Sequence, residues 1–400
     1  MYKFIQQCRA CGDPAVKLVP VFDLGVQPLA NSFRTKDEEQ SGYAPLKVLF
    51  CEKCSLAQLS VVVDPVILYQ HYTYETSKSA TMRLHFQNLW DCIRAHGPHE
   101  SVIEIGSNDG DFLMHASRNG AASVLGIDAS ENFSGVARLR GINTLFGILD
   151  DYTADMASRA IPKADVVLAR HVFCHADDWQ KFMRNIDTMA NRETLIVIEV
   201  PYAGDTIKRG EFDQIYHEHL SYLGFKAMTA LLEPTPFRIH SVRRFSVHGG
   251  VIAFFIRRRD FGGEPFPDSV AIAESENITV DDWCRLAVHA RQEIDALRGR
   301  VAALPGSAVV GGYGASAKST VWLNACGFSK RQVRFVTDTT PSKIGRLIPG
   351  TEIPVLAESA IKSEHPDCMI CFAWNYKREI IEKEAEYLSN GGQFIFPHEP

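Results

Sequence analysis

The chain has 400 residues, 46% of them hydrophobic and 22% charged, which supplies real cores for two or three domains and excludes a disordered or fibrous protein. A formal net charge of -6 with no Lys/Arg-rich run argues against a nucleic-acid partner, and no apolar run approaches the ~20 residues that span a bilayer. The opening MYKFIQQCRACG has no signal-peptide core, and the ten cysteines, partly in metal-type pairs, suit a reducing compartment, so a cytoplasmic location is expected.

Residues 1–75 read as a small first lobe, with short apolar stretches at 18–24 and 46–50 separated by Gly and Pro. Such a lobe is too small to bury a large core alone. Two C-x2-C pairs, Cys8 with Cys11 and Cys51 with Cys54, present four thiolates, the tetrahedral set that Zn2+ takes in closed structural sites. A closed site leaves no open coordination position, so this metal is expected to fold the lobe rather than do chemistry.

From residue 76 the pattern alternates helix and strand. Residues 82–95 have helical spacing, with Leu84, Leu89 and Ile93 as the apolar positions. Strands follow at 101–106, 124–128, 164–169 and 194–199, each a continuous apolar run, as in a parallel sheet covered on both faces. Stretches 238–245 and 251–258 read as a terminal hairpin turning at His248-Gly249-Gly250. The first strand runs into Glu104-Ile-Gly106-Ser-Asn108-Asp109-Gly110, whose glycines let a ligand approach the backbone. Its spacing is G-x-x-x-G, and its acids disfavour a pyrophosphate while tolerating a cation. The next strand ends at Asp128, placed to accept the hydroxyls of a ribose, with Ala129 after it. S-adenosylmethionine, with its sulfonium and ammonium, suits this turn better than NAD.

The segment 212–222 contains Tyr216-His217-Glu218-His219 and Tyr222, and follows the strand that ends near Tyr202. It is therefore expected beyond the carboxyl ends of the strands, where open α/β sheets bind ligands. His219 or a desolvated Glu218 could remove a proton next to a carbonyl, and Tyr216 or an imidazole could hydrogen-bond the enolate oxygen. Arg170-His171-Val-Phe-Cys174-His175 follows another strand and faces the same crevice, with His175 as a further acid or oxyanion donor and His171 as a wall of the cofactor pocket.

Residues 279–301 read as one long helix, and a second α/β pattern starts after Pro305, with strands at 308–312, 333–337, 368–373 and 393–396. Lys318 and Lys343 are candidate contacts for a diphosphate. Cys368 and Cys371 form a third C-x2-C pair, but they lie in a strand pattern that sends them to opposite faces, so they read as core.

Together these stretches resemble the zinc-containing, S-adenosylmethionine-dependent sugar C-methyltransferases of deoxysugar biosynthesis. The resemblance runs through the four cysteines, Gly25-Val-Gln27-Pro28-Leu29-Ala30-Asn31, the 104–110 turn and the 216–219 segment. It continues through Gly312-Tyr-Gly314-Ala-Ser-Ala-Lys318, Asp338-Thr-Thr-Pro341-Ser-Lys343-Ile-Gly345, Ile348-Pro-Gly350-Thr and Ala373-Trp374-Asn375. It implies an α/β protein with a zinc-binding lobe at 1–75 and a Rossmann-like class I methyltransferase core at 76–260. A helical linker at 261–304 and a C-terminal Rossmann-like α/β domain at 305–400, which helps hold a nucleotide sugar, complete it.

The resemblance implies His219 as base with Glu218 and Tyr216 beside it, and His175 as another active-site histidine. Glu104, Gly106, Asn108, Asp109, Gly110, Asp128, Ala129, Arg170 and His171 would hold S-adenosylmethionine. Tyr72, Tyr74, Tyr202, Tyr222, Lys318 and Lys343 would meet a nucleotide-diphospho-keto-deoxysugar, with dTDP the expected carrier. Arg170 stands where the family has a small amide and Cys174 where it has a small apolar residue. The rival readings are sugar O- or N-methylation, a non-catalytic protein of the same fold, and an NAD-linked sugar oxidoreductase using the C-terminal domain and Asp338. The sequence leaves the oligomeric state open.

Overall fold

The computed structural model describes residues 1–40, 42–69, 80–262 and 267–399. The apolar runs of the middle region close into one seven-stranded sheet, ordered Phe237–Phe245, Val251–Arg258, Leu195–Pro201, Val166–Arg170, Ser101–Ile105, Ser123–Asp128 and Thr144–Phe146. Every residue of Val166–Arg170 and Leu195–Pro201 is buried, as expected of central parallel strands covered by helices on both faces. Val251–Arg258 runs antiparallel to Leu195–Pro201 and pairs with Phe237–Phe245 as the foreseen hairpin. This order, with its one reversed strand, is the class I methyltransferase sheet. The chain winds one way from Ser101–Ile105 and the other way from Val166–Arg170, so a crevice opens between the carboxyl ends of these two neighbours.

Helix Ala80–Arg94 differs from its expected stripe at one position: Leu89 and Ile93 are buried, but Leu84 is 58% exposed. The buried face is Met82, Phe86, Leu89, Trp90 and Ile93. At ~100° per residue, Leu84 points away from Met82 and Phe86.

The zinc-binding lobe is an antiparallel sheet ordered Ser221–Tyr222, Ala57–Leu59, Tyr43–Cys51 and Leu18–Pro28. Its edge strand Ser221–Tyr222 comes from the core, directly after the 216–219 segment, and Leu59 N–H donates to Leu220 O at 2.9 Å. Helix Val280–Ala302 starts at the Thr279 cap, where Thr279 and Asp282 form a capping box. Its stripe Trp283, Leu286, Ala290, Ile294, Leu297 and Val301 packs into one core with Phe22 and Leu46 of the lobe and Trp322 of the C-terminal domain.

The C-terminal domain is a five-stranded parallel sheet ordered Val355–Ala357, Phe335–Asp338, Val310–Tyr313, Cys368–Cys371 and Gln393–Ile395. Cys368 packs with Ile370 and Phe372, and Cys371 with Met369 on the other face, so the two thiols share no metal. No helix among the described residues is long and apolar enough to cross a membrane.

Candidate active site and metal centre

The thiols of Cys8, Cys11, Cys51 and Cys54 lie within 4.8 Å of one another. Cys8 and Cys54 Sγ are 3.4 Å apart, and Cys11 and Cys51 Sγ are 3.7 Å apart. A tetrahedral site with zinc–sulfur bonds of ~2.3 Å has edges of ~3.8 Å, so the four sulfurs are grouped at a spacing that suits Zn2+.

A cavity of about 360 Å3 opens at the carboxyl ends of the central strands. Gly106, Asn108, Asp128, Ala129, Arg170 and His171 line it, as does His175. Gly106 has φ +70°, and a Cβ there would come within 2.9 Å of Val172 Cβ, so the turn requires glycine. Asp128 accepts the backbone N–H of Asn108 at 2.7 Å and of Ser130 at 2.8 Å, one on each carboxylate oxygen. Each oxygen keeps a lone pair for a ribose hydroxyl. Ile148, Leu149 and Phe182 add an apolar wall suited to an adenine ring.

Three expected cofactor residues lie behind this lining. Glu104 is fully buried and pairs with Arg170, which approaches Oε1 through Nη2 at 2.6 Å and Nε at 2.8 Å. Burial pushes the Glu104 carboxyl up and Arg170 opposes it. The Arg170 guanidinium lies 4.5 Å over the Phe86 ring and 4.7 Å over the Phe112 ring. Asp109 pairs with Arg140 at 2.9 Å, and Gly110, at φ +78°, opens helix Asp111–Arg118 against Ala137 and Ile142.

The reactive segment forms a tight turn beside the cavity. His219 Nδ1 lies 2.8 Å from Gln214 O, and its Nε2 lies 2.6 Å from the Tyr216 hydroxyl. A carbonyl only accepts, so the proton sits on Nδ1 and Nε2 receives the phenol O–H. Burial, with His175 beside it, holds His219 well below the ordinary imidazole range. The His175 ring stacks on His219 at 5.4 Å and on Tyr69 at 5.7 Å, and burial lowers its pKa to about 3. His175 Nε2 is shielded from solvent and has no hydrogen-bond partner among the described residues. Glu218 is buried; Asn31 Nδ2 donates to its Oε1 at 2.9 Å, and its Oε2 has no partner. Burial raises the Glu218 carboxyl to about 7, against the opposing Asn31 bond. The two candidate bases therefore differ: His219 is a neutral imidazole reluctant to take a proton, while Glu218 exchanges its proton near neutrality. His217 is turned away, with Nε2 donating to Ala44 O at 3.1 Å.

Cys174, His175 and His219 also bring three potential ligand atoms within 4.8 Å. Both nitrogens of His219 are already hydrogen-bonded, and the two imidazoles stack with planes only 26° apart. Their lone pairs do not converge, so this cluster is not built as a metal site.

Tyr216, Glu218 and His219 form the layer behind His175 and do not line the cavity itself. Tyr202 donates its hydroxyl to Glu276 at 3.0 Å, under the Arg244 guanidinium. Tyr222 is buried edge-on to Trp283. The Lys318 ammonium lies 3.4 Å from Asp213 and 4.2 Å over the Trp374 ring, and Lys343 Nζ donates to Ala315 O at 2.8 Å. Tyr202, Lys318 and Lys343 are thus engaged within the protein, whereas the buried Tyr222 hydroxyl has no hydrogen-bond partner among the described residues. Tyr72 and Tyr74 lie outside the described residues.

Sequence reasoning missed Tyr69, Met82, Lys181 and His248 of the lining and Asn31 behind it. It also missed the pair formed by His85 Nε2 and Glu199 Oε2 at 2.8 Å, with His171 Nε2 3.4 Å from the other oxygen. Burial pushes the Glu199 carboxyl up, but His85 and His171 outweigh it and keep it ionised. The stretch ending at Asn31 carried a signal, but its contact with Glu218 spans 187 positions and no local pattern shows it.

Three family profiles match successive parts of the chain: a putative zinc binding domain over residues 8–69, a methyltransferase domain over 69–242 and a C-methyltransferase C-terminal domain over 246–398. C-methyltransferase NovU of Streptomyces niveus is 32% identical over 409 residues, spanning 98% of this chain and 95% of that protein. Among solved structures, magnesium protoporphyrin IX methyltransferase (ChlM) from Synechocystis PCC 6803 with bound SAM is 16% identical, over 44% of this chain and 79% of that one, with a TM-score of 0.33. PH0226 protein from Pyrococcus horikoshii OT3 is 13% identical, over 47% of this chain and 95% of that one, with a TM-score of 0.38. The match to NovU over nearly the whole of both chains, on top of the sheet order and the four-cysteine centre, places this chain in the family of S-adenosylmethionine-dependent C-methyltransferases that carry an N-terminal zinc-binding domain.

Proposed function

We propose that this C-methyltransferase acts on a nucleotide-linked 4-keto-6-deoxy sugar, methylating the ring carbon next to the ketone. The observation that carries the reading is a layered set of proton-handling groups: His175 lines the cavity, His219 stacks on it at 5.4 Å, and Glu218, whose carboxyl burial raises to about 7, sits in the same turn as His219. The ketone acidifies the hydrogen on the neighbouring carbon. Glu218, from the turn behind His175, takes that proton in this reading, and the electron pair moves into the carbonyl to give an enolate, whose oxygen the N–H of the His175 imidazole meets. That carbon would then take up the methyl group that S-adenosylmethionine supplies.

S-adenosylmethionine supplies the activated methyl group. Gly106, Asn108 and Asp128 would hold it, and the chain's own work is to orient and deprotonate the sugar. The resemblance alone assigns the base to His219, but burial and the neighbouring His175 shift that role towards Glu218 and leave His219 holding Tyr216. The C-terminal domain is proposed to bind the nucleotide, with Lys318 and Lys343 shaping that surface through their internal contacts.

The test is mass spectrometry of the enzyme with S-adenosylmethionine and nucleotide-linked 4-keto-6-deoxysugars in heavy water. Methyl gain, with deuterium entering unreacted sugar beside the ketone, is the expected result. Methyl gain without such exchange, on a sugar that lacks the ketone, would mean O- or N-methylation and overturn the enolate reading.

A further inference from the structure

The Asp213 carboxylate is fully buried in the turn Phe212–Gln214, just before the reactive segment. The groups that hold it all come from the C-terminal domain. Trp374 Nε1 donates to Oδ2 at 2.7 Å and Trp322 Nε1 at 3.0 Å; His398 Nε2 lies 3.2 Å from the same oxygen, and Lys318 Nζ 3.4 Å from Oδ1. Burial pushes this carboxyl up, but Lys318 and His398 outweigh it and keep it ionised. A carboxylate so far from water stays charged only because these partners surround it.

The next residue faces the site. Gln214 O accepts the Nδ1 proton of His219 at 2.8 Å, and Gln214 Nε2 donates to His248 O at 2.8 Å, behind the cavity wall. That carbonyl fixes which ring nitrogen of His219 carries the proton. The other nitrogen fixes the Tyr216 hydroxyl, and Glu218 lies between these two residues in the same turn. The Gln214 carbonyl shares its peptide with the Ile215 N–H, which donates to Phe212 O at 3.0 Å, so the Asp213 anchor and the backbone of this short turn set its direction together.

We propose that Asp213 is a positioning residue through which the C-terminal domain sets the tautomer and orientation of His219, and with them the turn that carries Glu218. The proposal rests on the enolate reading for its catalytic consequence, but the tautomer can be read without turnover. With the domain seated on Asp213, the Gln214 carbonyl points at Nδ1. When that anchor is weakened, the bonds of the turn itself and of the Gln214 side chain alone hold the carbonyl, and His219 samples both tautomers. The C-terminal domain thereby acts on the proton-handling groups as well as on the proposed nucleotide surface.

The test uses the zinc-loaded enzyme with 15N-labelled histidine. The His219 resonances are assigned by their loss in His219→Asn, and long-range 15N–1H correlation reads the tautomer. Wild type is expected to show a single Nδ1–H form. Asp213→Asn should show a mixture, with kcat for methyl transfer reduced tenfold or more and KM for S-adenosylmethionine changed less than twofold. Trp374→Phe, which keeps a ring and removes one donor, should fall between them. It decides the matter if Asp213→Asn loses its zinc or its secondary structure. A wild-type tautomer in the folded variants overturns the proposal. Loss of the single tautomer in an enzyme that shows no α-hydrogen exchange would keep it and overturn the enolate reading instead.

Discussion

Asn31 of the zinc-binding lobe donates its side-chain amide to Glu218 of the core at 2.9 Å, across 187 positions of sequence. The zinc-binding lobe thus reaches a buried carboxyl that burial raises to about 7. The contact is electrostatic as well as mechanical, because an N–H donor favours the ionised carboxylate and opposes the effect of burial.

With Glu218 as base, the enzyme works when Glu218 is ionised, so kcat should rise with pH through about 7. Glu218→Gln should abolish that limb and lower kcat by ~10^2-fold or more. Asn31→Ala removes the donor that favours ionisation, so the limb should move upward, by ~1 pH unit for a bond worth ~1.4 kcal/mol. Stability should change in the opposite sense to activity. A carboxyl at about 7 in the folded protein and 4.5 in the unfolded chain stabilises the fold below about 4.5, and that contribution is lost as pH rises through about 7. The gap corresponds to ~3 kcal/mol, so Glu218→Gln should melt higher than wild type at pH 8 and no higher at pH 4. Steady-state pH profiles and calorimetry of the three proteins check both signs.

Zinc removal should reach the active site through the shared sheet. Leu59 and the strand Ala57–Leu59 pair with Leu220 and Ser221–Tyr222, immediately after His219. A strong chelator, or Cys51→Ser, leaves a small lobe without the metal that completes its core. Methyl transfer should then be lost together with the lobe's strand signal, and the Asn31 contact with it. Restoring Zn2+ to the chelated protein should restore both. Retention of full activity after complete metal loss, read by elemental analysis, would count against a structural role.

The outline of the fold was legible because it follows from periodicity. Continuous apolar strands separated by helices specified the parallel sheet, and the four cysteines in two pairs specified the closed metal site. Leu84 shows the limit: an apolar residue at a tempting spacing faces solvent because Met82 and Phe86 already define the buried stripe. Glycine turns and strand ends placed Gly106 and Asp128 on the cavity, since local backbone needs mark them. Glu104 and Asp109 share that motif, yet their side chains turn inward to Arg170 and Arg140, partners that stand 66 and 31 positions away. Lys318 looked like a phosphate contact beside its glycine-rich turn, but Asp213 of another domain claims its ammonium. Pairings between distant segments decide which charged groups are free for a ligand, and no local pattern carries them.

Arg170, which stands where relatives are expected to carry a small amide, is paired with Glu104 inside the sheet and packed between Phe86 and Phe112. Breaking such a pair from one side leaves a buried charge unmatched, at a cost of ~3–5 kcal/mol. Arg170→Met should therefore lower the melting temperature strongly. Arg170→Met combined with Glu104→Gln removes both charges and should recover much of that loss. If the double variant is no more stable than Arg170→Met, the guanidinium stabilises chiefly through its contacts with the two rings.

His175 presents the sharpest test of the chemistry, because its Nε2 lies out of solvent without a partner among the described residues, in a ring that lines the cavity. A shielded polar nitrogen left unmatched is costly in the free enzyme. A substrate oxygen that accepts its proton would relieve that cost, most of all once the oxygen carries enolate charge. Burial keeps this imidazole neutral, at about 3, so as an oxyanion donor it would not titrate over the working range. His175→Ala should then lower kcat by ~10^2–10^3-fold, the usual loss for one oxyanion donor. His175→Asn, which can offer an N–H, should retain more activity than His175→Ala. Neither variant should move the pH limb assigned to Glu218. With His175 serving the second substrate, binding of S-adenosylmethionine, measured by calorimetry, should change little. A large loss of cofactor affinity in His175→Ala with kcat intact would instead make this ring a wall of the cofactor pocket.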